Sequence, residues 1–95
     1  MIERHLTFNV PAERSAAFER FFVEDYRPPV TRVPGFGACV LLREIEHPER
    51  YQMVFRWATA DAATAWRVSE VHQALQPALN ALHGGMEIVA YTTVA

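Results

Sequence analysis

The segment FGACVLLREIEHPERYQMVFRW, residues 36–57, decides the fold because it predicts two strands joined by a short polar loop. Residues 36–44 form an apolar run of strand length with little alternation, which is typical of a strand covered on both faces. Residues 46–50 are polar and predict the hairpin loop. From Tyr51 to Trp57, large apolar side chains alternate with mostly polar ones, as in a half-buried strand.

Upstream of this hairpin, the pattern predicts a strand followed by a helix. Residues 2–10 alternate between apolar and polar side chains, with period two. Pro11 suits the first turn of a helix, where its missing N–H costs nothing, and an apolar stripe at helical spacing follows. We expect this helix to end at Arg27, because the proline pair at residues 28–29 cannot continue the hydrogen-bond ladder.

Downstream of the hairpin, two hydroxyl residues predict helix starts. Thr59 is placed to cap one helix, and Ser69 is placed to cap a further helical segment. Pro77 is expected to kink that segment, and the glycine pair at residues 84–85 is expected to stop it. Residues 86–94 then form the last strand.

The predicted order is therefore βαββαβ, an α+β arrangement of the ferredoxin-like kind. Right-handed crossovers place both helical connections on one face of a four-stranded antiparallel sheet and leave the other face bare. Strand two presents apolar residues to that bare face in either orientation, with Cys39 and Leu41 in one and Val40 and Leu42 in the other. An exposed apolar sheet face marks an interface, so a homodimer is predicted.

Composition argues against nucleic-acid binding and against membrane insertion. The net charge is −2, and the nine basic residues are all arginines scattered along the chain, whereas nucleic-acid binders concentrate positive charge. No apolar run approaches the roughly eighteen residues of a membrane span, and the N-terminus does not resemble a signal peptide. Cys39 is the only cysteine, which favours a reduced, cytoplasmic setting.

The sequence predicts neither a metal site nor a cofactor. The histidines do not cluster with acidic residues at ligand spacing, and no glycine-rich loop follows a strand, as a nucleotide or flavin site requires. Cys39 lies inside an apolar strand and is expected to be an inert, buried thiol.

Several short motifs resemble the antibiotic biosynthesis monooxygenase family. They are Val33-Pro34-Gly35-Phe36 before strand two, Trp57 at the end of strand three, Thr59–Asp61 at a helix start, and Trp66-Arg67-x-Ser69-x-x-His72. The resemblance implies that residues 1–95 form a single domain of this family. It also implies a dimeric α+β barrel, in which two ferredoxin-like sheets pack face to face. Activities in the family include cofactor-free oxygenation of polycyclic phenols, quinol oxidation and haem degradation.

The haem-degrading branch of the family differs from this chain at two positions. Its members carry a Trp on the second helix, where Trp66 stands here, followed by an iron-binding His, and they carry an Asn on strand one. Ten residues after Trp66 this chain has Gln76, and Arg4 takes the strand-one position. Gln is a poor haem ligand compared with imidazole, so haem is disfavoured, although His72 lies one turn away and can in principle substitute.

The resemblance thus implies a small cofactor-independent monooxygenase or quinol-type oxidase acting on an aromatic, polyketide-like substrate. Such an enzyme needs a base, a stabiliser for the substrate anion and a dry apolar pocket, here between helices and sheet. His72 is the predicted base, since imidazole titrates near neutrality. Trp66 is predicted to stack on the substrate and Arg4 to hold an anionic oxygen. The predicted substrate-binding residues are Tyr26, Arg56 and Phe22.

Each of these residues also has a structural alternative. His72 can be a histidine at the core edge, Trp66 can be core, and Arg4 can belong to a salt bridge at the sheet edge. The alternative function is accordingly a non-catalytic dimeric module that binds a small hydrophobic ligand or a protein partner. An open cavity beside His72 and Trp66 favours the enzyme, whereas a pocket filled by Phe18, Phe22 and Trp66 favours the module.

Overall fold

Four strands form one antiparallel sheet in the computed structural model, which describes residues 1–95. They are β1 (Ile2–Asn9), β2 (Phe36–Arg43), β3 (Arg50–Trp57) and β4 (Gly85–Thr92). Their order across the sheet is β2-β3-β1-β4, and every neighbouring pair runs antiparallel. This order and the βαββαβ sequence of elements confirm the predicted ferredoxin-like α+β fold.

Helical segments fill the two crossover connections. The first consists of a 3-10 turn (Ala12–Arg14), α1 (Ser15–Phe21), a π-helical turn (Phe22–Tyr26) and α2 (Arg27–Val30). The second consists of α3 (Ala60–Arg67) and α4 (Glu70–Asn80), and α4 continues past Pro77. None of these helices has the length and apolar character that crossing a bilayer requires.

The first helical connection does not end at Arg27, so the expectation based on the proline pair is wrong. In the π-helical turn, the Arg27 N–H bonds to the carbonyl of Phe22, five residues back. This wider turn resets the hydrogen-bond register, and Pro28 and Pro29 then occupy the first turn of α2. A missing N–H removes no required bond there, and the chain stays helical to Val30.

Both predicted caps are confirmed, and one of them positions a candidate site residue. The Thr59 hydroxyl accepts the Ala62 N–H at 3.2 Å at the start of α3. The Ser69 hydroxyl accepts the His72 N–H at 3.1 Å at the start of α4. Because this cap anchors the first turn of α4, it also anchors the backbone that carries the His72 imidazole.

The turn before β2 has a steric reason for its glycine. Gly35 has a φ of 86°, and a Cβ added there would lie 2.6 Å from the Cβ of Ala62 on α3. The Phe36 N–H closes the turn by donating to the Val33 carbonyl at 3.0 Å. A side chain at this position would therefore strain the backbone and push α3 away from the sheet.

The core lies between the helices and one face of the sheet. Every second side chain of β3 points into it and is buried; these are Tyr51, Met53, Phe55 and Trp57. Directly paired residues share a face, so Cys39 and Leu41, which pair with Phe55 and Met53, also face the helices. Burial raises the pKa of the Cys39 thiol to about 12, which keeps it protonated and unreactive.

The helix-free face is apolar at both edges and polar in the middle. Val40 and Leu42 are exposed on β2, and Val89 and Tyr91 are exposed on β4. Between them, the Glu3 carboxylate accepts hydrogen bonds from His5 Nε2 at 2.7 Å and from Arg56 Nε at 3.0 Å. These hydrogen bonds lower the pKa of Glu3.

Candidate active site

A cleft opens between the helical layer and the sheet, beside β4. Residues of β1, β3, β4, the π-helical turn, α3 and α4 line it, and most of them are hydrophobic. Its aromatic wall consists of Tyr26, Phe55, Trp57 and Trp66. The free volume is about 60 Å³, which is room for about four water molecules.

The His72 imidazole lies in this cleft, and its contact with Gln76 identifies the ring nitrogen that carries no proton. Its Nε2 is 3.2 Å from the amide nitrogen of Gln76, one turn further along α4. Because an amide nitrogen only donates, Nε2 accepts, and the proton of the neutral ring is on Nδ1. The ring also packs edge-on against Trp66, with the centroids 5.2 Å apart.

Burial lowers the pKa of His72 below its usual value. The carbonyl of Arg67 acts in the opposite direction, while the positive charges of Arg4 and Arg67 add to the lowering. The imidazole is therefore neutral at neutral pH, which is the form that can take a proton from a substrate.

Two large aromatic residues form the wall next to His72. The rings of Tyr26 and Trp66 meet edge to face with centroids 5.7 Å apart, and both side chains are buried. Burial raises the pKa of Tyr26 to about 12, and the Trp66 indole offsets part of the rise. The indole N–H is buried and lies near the Tyr26 hydroxyl, but it does not reach hydrogen-bond geometry with any partner.

Arg4 enters the cleft from β1, on the same side of the strand as Leu6. It pairs across the sheet with Phe55 on β3 and Ala90 on β4. Arg4 is half-buried and takes part in no ion pair. The structure thus does not show the sheet-edge salt bridge that was its alternative.

The cleft brings together four of the six predicted site residues: His72, Trp66, Arg4 and Tyr26. Phe22 is fully buried and does not line the cleft. Its ring is stacked on that of Tyr26, with the ring centroids 6.5 Å apart. Arg56 lies on the helix-free face, where it pairs with Glu3 at 3.0 Å. The strand alternation that buries Phe55 turns Arg56 away, so the sheet separates Arg56 from the cleft.

Sequence reasoning assigned no function to several residues of the cleft. Arg67 is part of the motif that contains Trp66, and Gln76 stands four residues after His72, so their spacing was a usable signal. Met86 and Ile88 of β4 carry no such signal. They reach the cleft only because β4 pairs with β1, which no local pattern reveals.

Comparison with known proteins gives consistent results. Residues 1–78 match the antibiotic biosynthesis monooxygenase family. No curated protein matches the chain at a significant level. A point mutant of SnoaB, a cofactor-independent oxygenase from Streptomyces nogalater, is similar in structure, with 26% identity and a TM-score of 0.86. That match covers 97% of this chain and 91% of the SnoaB chain.

Two further solved structures carry the name of the same family. A Bordetella bronchiseptica protein is 26% identical, covers 99% of this chain and 97% of its own, and has a TM-score of 0.87. A Deinococcus radiodurans protein is 18% identical, covers 100% of this chain and 94% of its own, and shows the same fold with a TM-score of 0.89. Since the family match spans most of the sequence, this chain belongs to the antibiotic biosynthesis monooxygenase family.

Proposed function

We propose that this protein is a small cofactor-independent monooxygenase or quinol-type oxidase that acts on an aromatic, polyketide-like substrate. The observation that carries the proposal is that His72, Trp66 and Arg4 line one cleft between helices and sheet. Membership of the family and the likeness to SnoaB, itself a cofactor-independent oxygenase, support it.

The proposed chemistry starts with loss of a substrate proton to His72. Deprotonating a phenol or an activated C–H makes the substrate electron-rich enough to pass an electron to dioxygen. In a monooxygenation, a CH₂ group becomes C=O with one oxygen atom, and the other atom leaves with two hydrogens as water. In a quinol oxidation, the quinol loses two electrons and two protons, and dioxygen becomes hydrogen peroxide.

The rest of the cleft fits the needs of this reaction. The guanidinium of Arg4 is placed to stabilise the substrate anion, and its electrostatic effect is strengthened by the low polarity of the aromatic wall. Gln76 holds the accepting nitrogen of His72 in the resting site and must release it for the substrate proton. Trp66 and Tyr26 offer faces or edges against which an aromatic ring packs.

Two observations favour the alternative, a non-catalytic module: the cleft is small, and Phe18, Phe22 and Trp66 are buried in the space between helices and sheet. A free volume of about 60 Å³ is too small for a polycyclic ring system, so the cleft must widen to bind one. The side formed by β4 offers a route, because Met86 and Ile88 are exposed there. Formation of product decides between the two functions.

We also propose that a second copy of the chain covers the helix-free face. Val40, Leu42, Val89 and Tyr91 form an exposed apolar frame on that face, which a partner sheet would bury. The proposal agrees with the face-to-face barrel that the family resemblance implies.

The function is tested by following the quinone absorbance that appears when anthrone or a hydroquinone is mixed with the purified protein. We expect formation of quinone above the spontaneous rate, with heat-denatured protein as the control. Product formation at the rate of the denatured control would leave the non-catalytic module as the better account.

Haem is expected not to be degraded by this protein. Gln76, at the position of the haem-binding His in the haem-degrading branch, is hydrogen-bonded to His72 and is a poor iron ligand. Titration with hemin, followed at the Soret band in the presence of a reductant, measures both haem binding and haem degradation. Tight stoichiometric binding with release of a cleaved tetrapyrrole would place the protein in the haem-degrading branch after all.

A further inference from the structure

The polar groups of the cleft are mostly cations and hydrogen-bond donors. Two arginines, Arg4 and Arg67, line it and no acidic residue does, so its formal charge is +2 with His72 neutral, although the whole chain carries −2. The indole N–H groups of Trp57 and Trp66 are buried without a partner. Unpartnered buried donors are rare in proteins, and here they belong to residues that line the same cleft as two unpaired positive charges.

Of the two positive charges in the cleft, that of Arg4 is the more buried, and it has no counter-ion. It is half-buried, and neither it nor Arg67 takes part in an ion pair or a side-chain hydrogen bond. Burial lowers the pKa of Arg4, and the positive charge of Arg67 lowers it further. A partly desolvated cation without a counter-ion raises the free energy of the empty site, and a bound anion removes that cost.

We propose that the ligand of this cleft is an aromatic carboxylate, with its carboxylate held by Arg67 and Arg4 and its rings packed against Trp66 and Tyr26. This inference rests on the proposed function and adds the substrate class. A guanidinium matches the two oxygens of a carboxylate, whereas a phenolate offers only one oxygen. Since Arg67 is exposed and Arg4 half-buried, the carboxylate lies toward the mouth of the cleft.

Charge balance during the reaction supports a carboxylate in addition to the ionising oxygen. One carboxylate neutralises one of the two positive charges of the arginines. The second charge is then available for the phenolate or enolate that forms when His72 takes the proton. With the proton on His72, three positive charges of the site face two negative charges of the substrate, so the carboxylate lowers the excess positive charge from +2 to +1 and the proton transfer leaves it unchanged.

The matched ligands 2-naphthoate and 2-naphthamide test the inference, because they differ in charge and hardly in shape. In calorimetric titrations of the wild-type protein, we expect the carboxylate to bind about tenfold tighter or more, with a preference that shrinks as salt is added. Arg67→Gln and Arg4→Gln should each remove most of this preference and leave the affinity for naphthamide unchanged. Arg20→Gln, an exposed arginine on α1 outside the cleft, should change neither affinity.

Equal affinity for the two ligands, or equal weakening of both by Arg67→Gln, would overturn the inference. Arg67 is exposed, so its variant decides the matter even where Arg4→Gln does not fold. The binding preference is separate from turnover. If the protein prefers naphthoate but takes up no oxygen with any aromatic acid, the proposed ligand class stands and the proposed oxygenase activity is refuted. If the protein takes up oxygen with neutral substrates but does not prefer naphthoate, the proposed oxygenase activity stands and the proposed ligand class is refuted.

Discussion

His72→Ala is expected to slow the oxidation of an anthrone-like or hydroquinone substrate about a hundredfold or more, the usual scale for removing a positioned base. The imidazole lies in the cleft with an accepting Nε2, and alanine leaves no group there that can take the proton. Trp66→Phe is expected to slow the oxidation less than His72→Ala does, because the aromatic surface is only partly lost. Initial rates of quinone formation, measured on variants shown to be folded, provide the comparison.

The pH dependence of the reaction follows from the lowered pKa of His72. A general base acts in its neutral form, so the rate rises with pH as the imidazolium loses its proton. Because burial lowers this pKa, the rise should lie below the usual histidine range, about 6.5, and the rate should be flat near neutral pH. His72→Ala should remove this rise.

An exposed histidine provides the matched control for this experiment. His47 lies in the loop between β2 and β3 and outside the cleft, so His47→Ala should keep both the rate and the pH profile. If His72→Ala folds normally and turns over at the wild-type rate, His72 is not the base.

Leu42→Lys is expected to convert the proposed dimer into a monomer. Leu42 is 51% exposed on the helix-free face of β2, and burying an unpaired ammonium there would cost several kcal/mol. Sedimentation velocity at micromolar concentration measures the change, with the wild-type chain expected to sediment as a dimer. The variant itself should fold, because Leu42 does not contribute to the core.

Val71→Lys is the matched control for the dimer. Val71 is 49% exposed on α4, in the helical layer on the other side of the sheet. The same substitution at nearly the same exposure should therefore leave the dimer intact. A wild-type monomer at micromolar concentration, or a Leu42→Lys dimer as stable as the wild type, would contradict an interface on the helix-free face.

Most of the fold was predictable because the local patterns and the tertiary structure agree. The alternation from Tyr51 to Trp57 is the alternation of burial in β3, and Thr59 and Ser69 cap the helices that their side chains predict. The end of the first helical connection was not predictable from the proline pair at residues 28–29. A π-helical turn before the prolines changes the hydrogen-bond register, and nothing in residue type alone announces it.

The orientation of β2 was left open by its sequence for a physical reason. Both sides of the strand are apolar, so periodicity cannot select the buried side. Pairing with β3 selects it, and places Leu41 opposite Met53 in the core while Leu42 faces outward. The same pairing places Arg56 on the face opposite the cleft.

The candidate site was predictable where its residues share one local motif and less so elsewhere. Trp66 and His72 are close in sequence, and the Ser69 cap brings the start of α4 next to α3. Arg4 followed from the alternation of β1, which places it on the side of Leu6. The contributions of Met86 and Ile88 depend on how far the helices cover β4, a property of the assembled layers.

The central claim is tested most directly by measuring oxygen uptake. The protein is first stripped of metals with a chelator and freed of flavin. With anthrone as the substrate, we expect uptake well above the spontaneous rate and about one dioxygen consumed for each quinone formed, as the balance of a CH₂ becoming C=O requires. Uptake no faster than without protein, or uptake that appears only when a metal or flavin is returned, would contradict a cofactor-free oxygenase in the cleft of Arg4, Trp66 and His72.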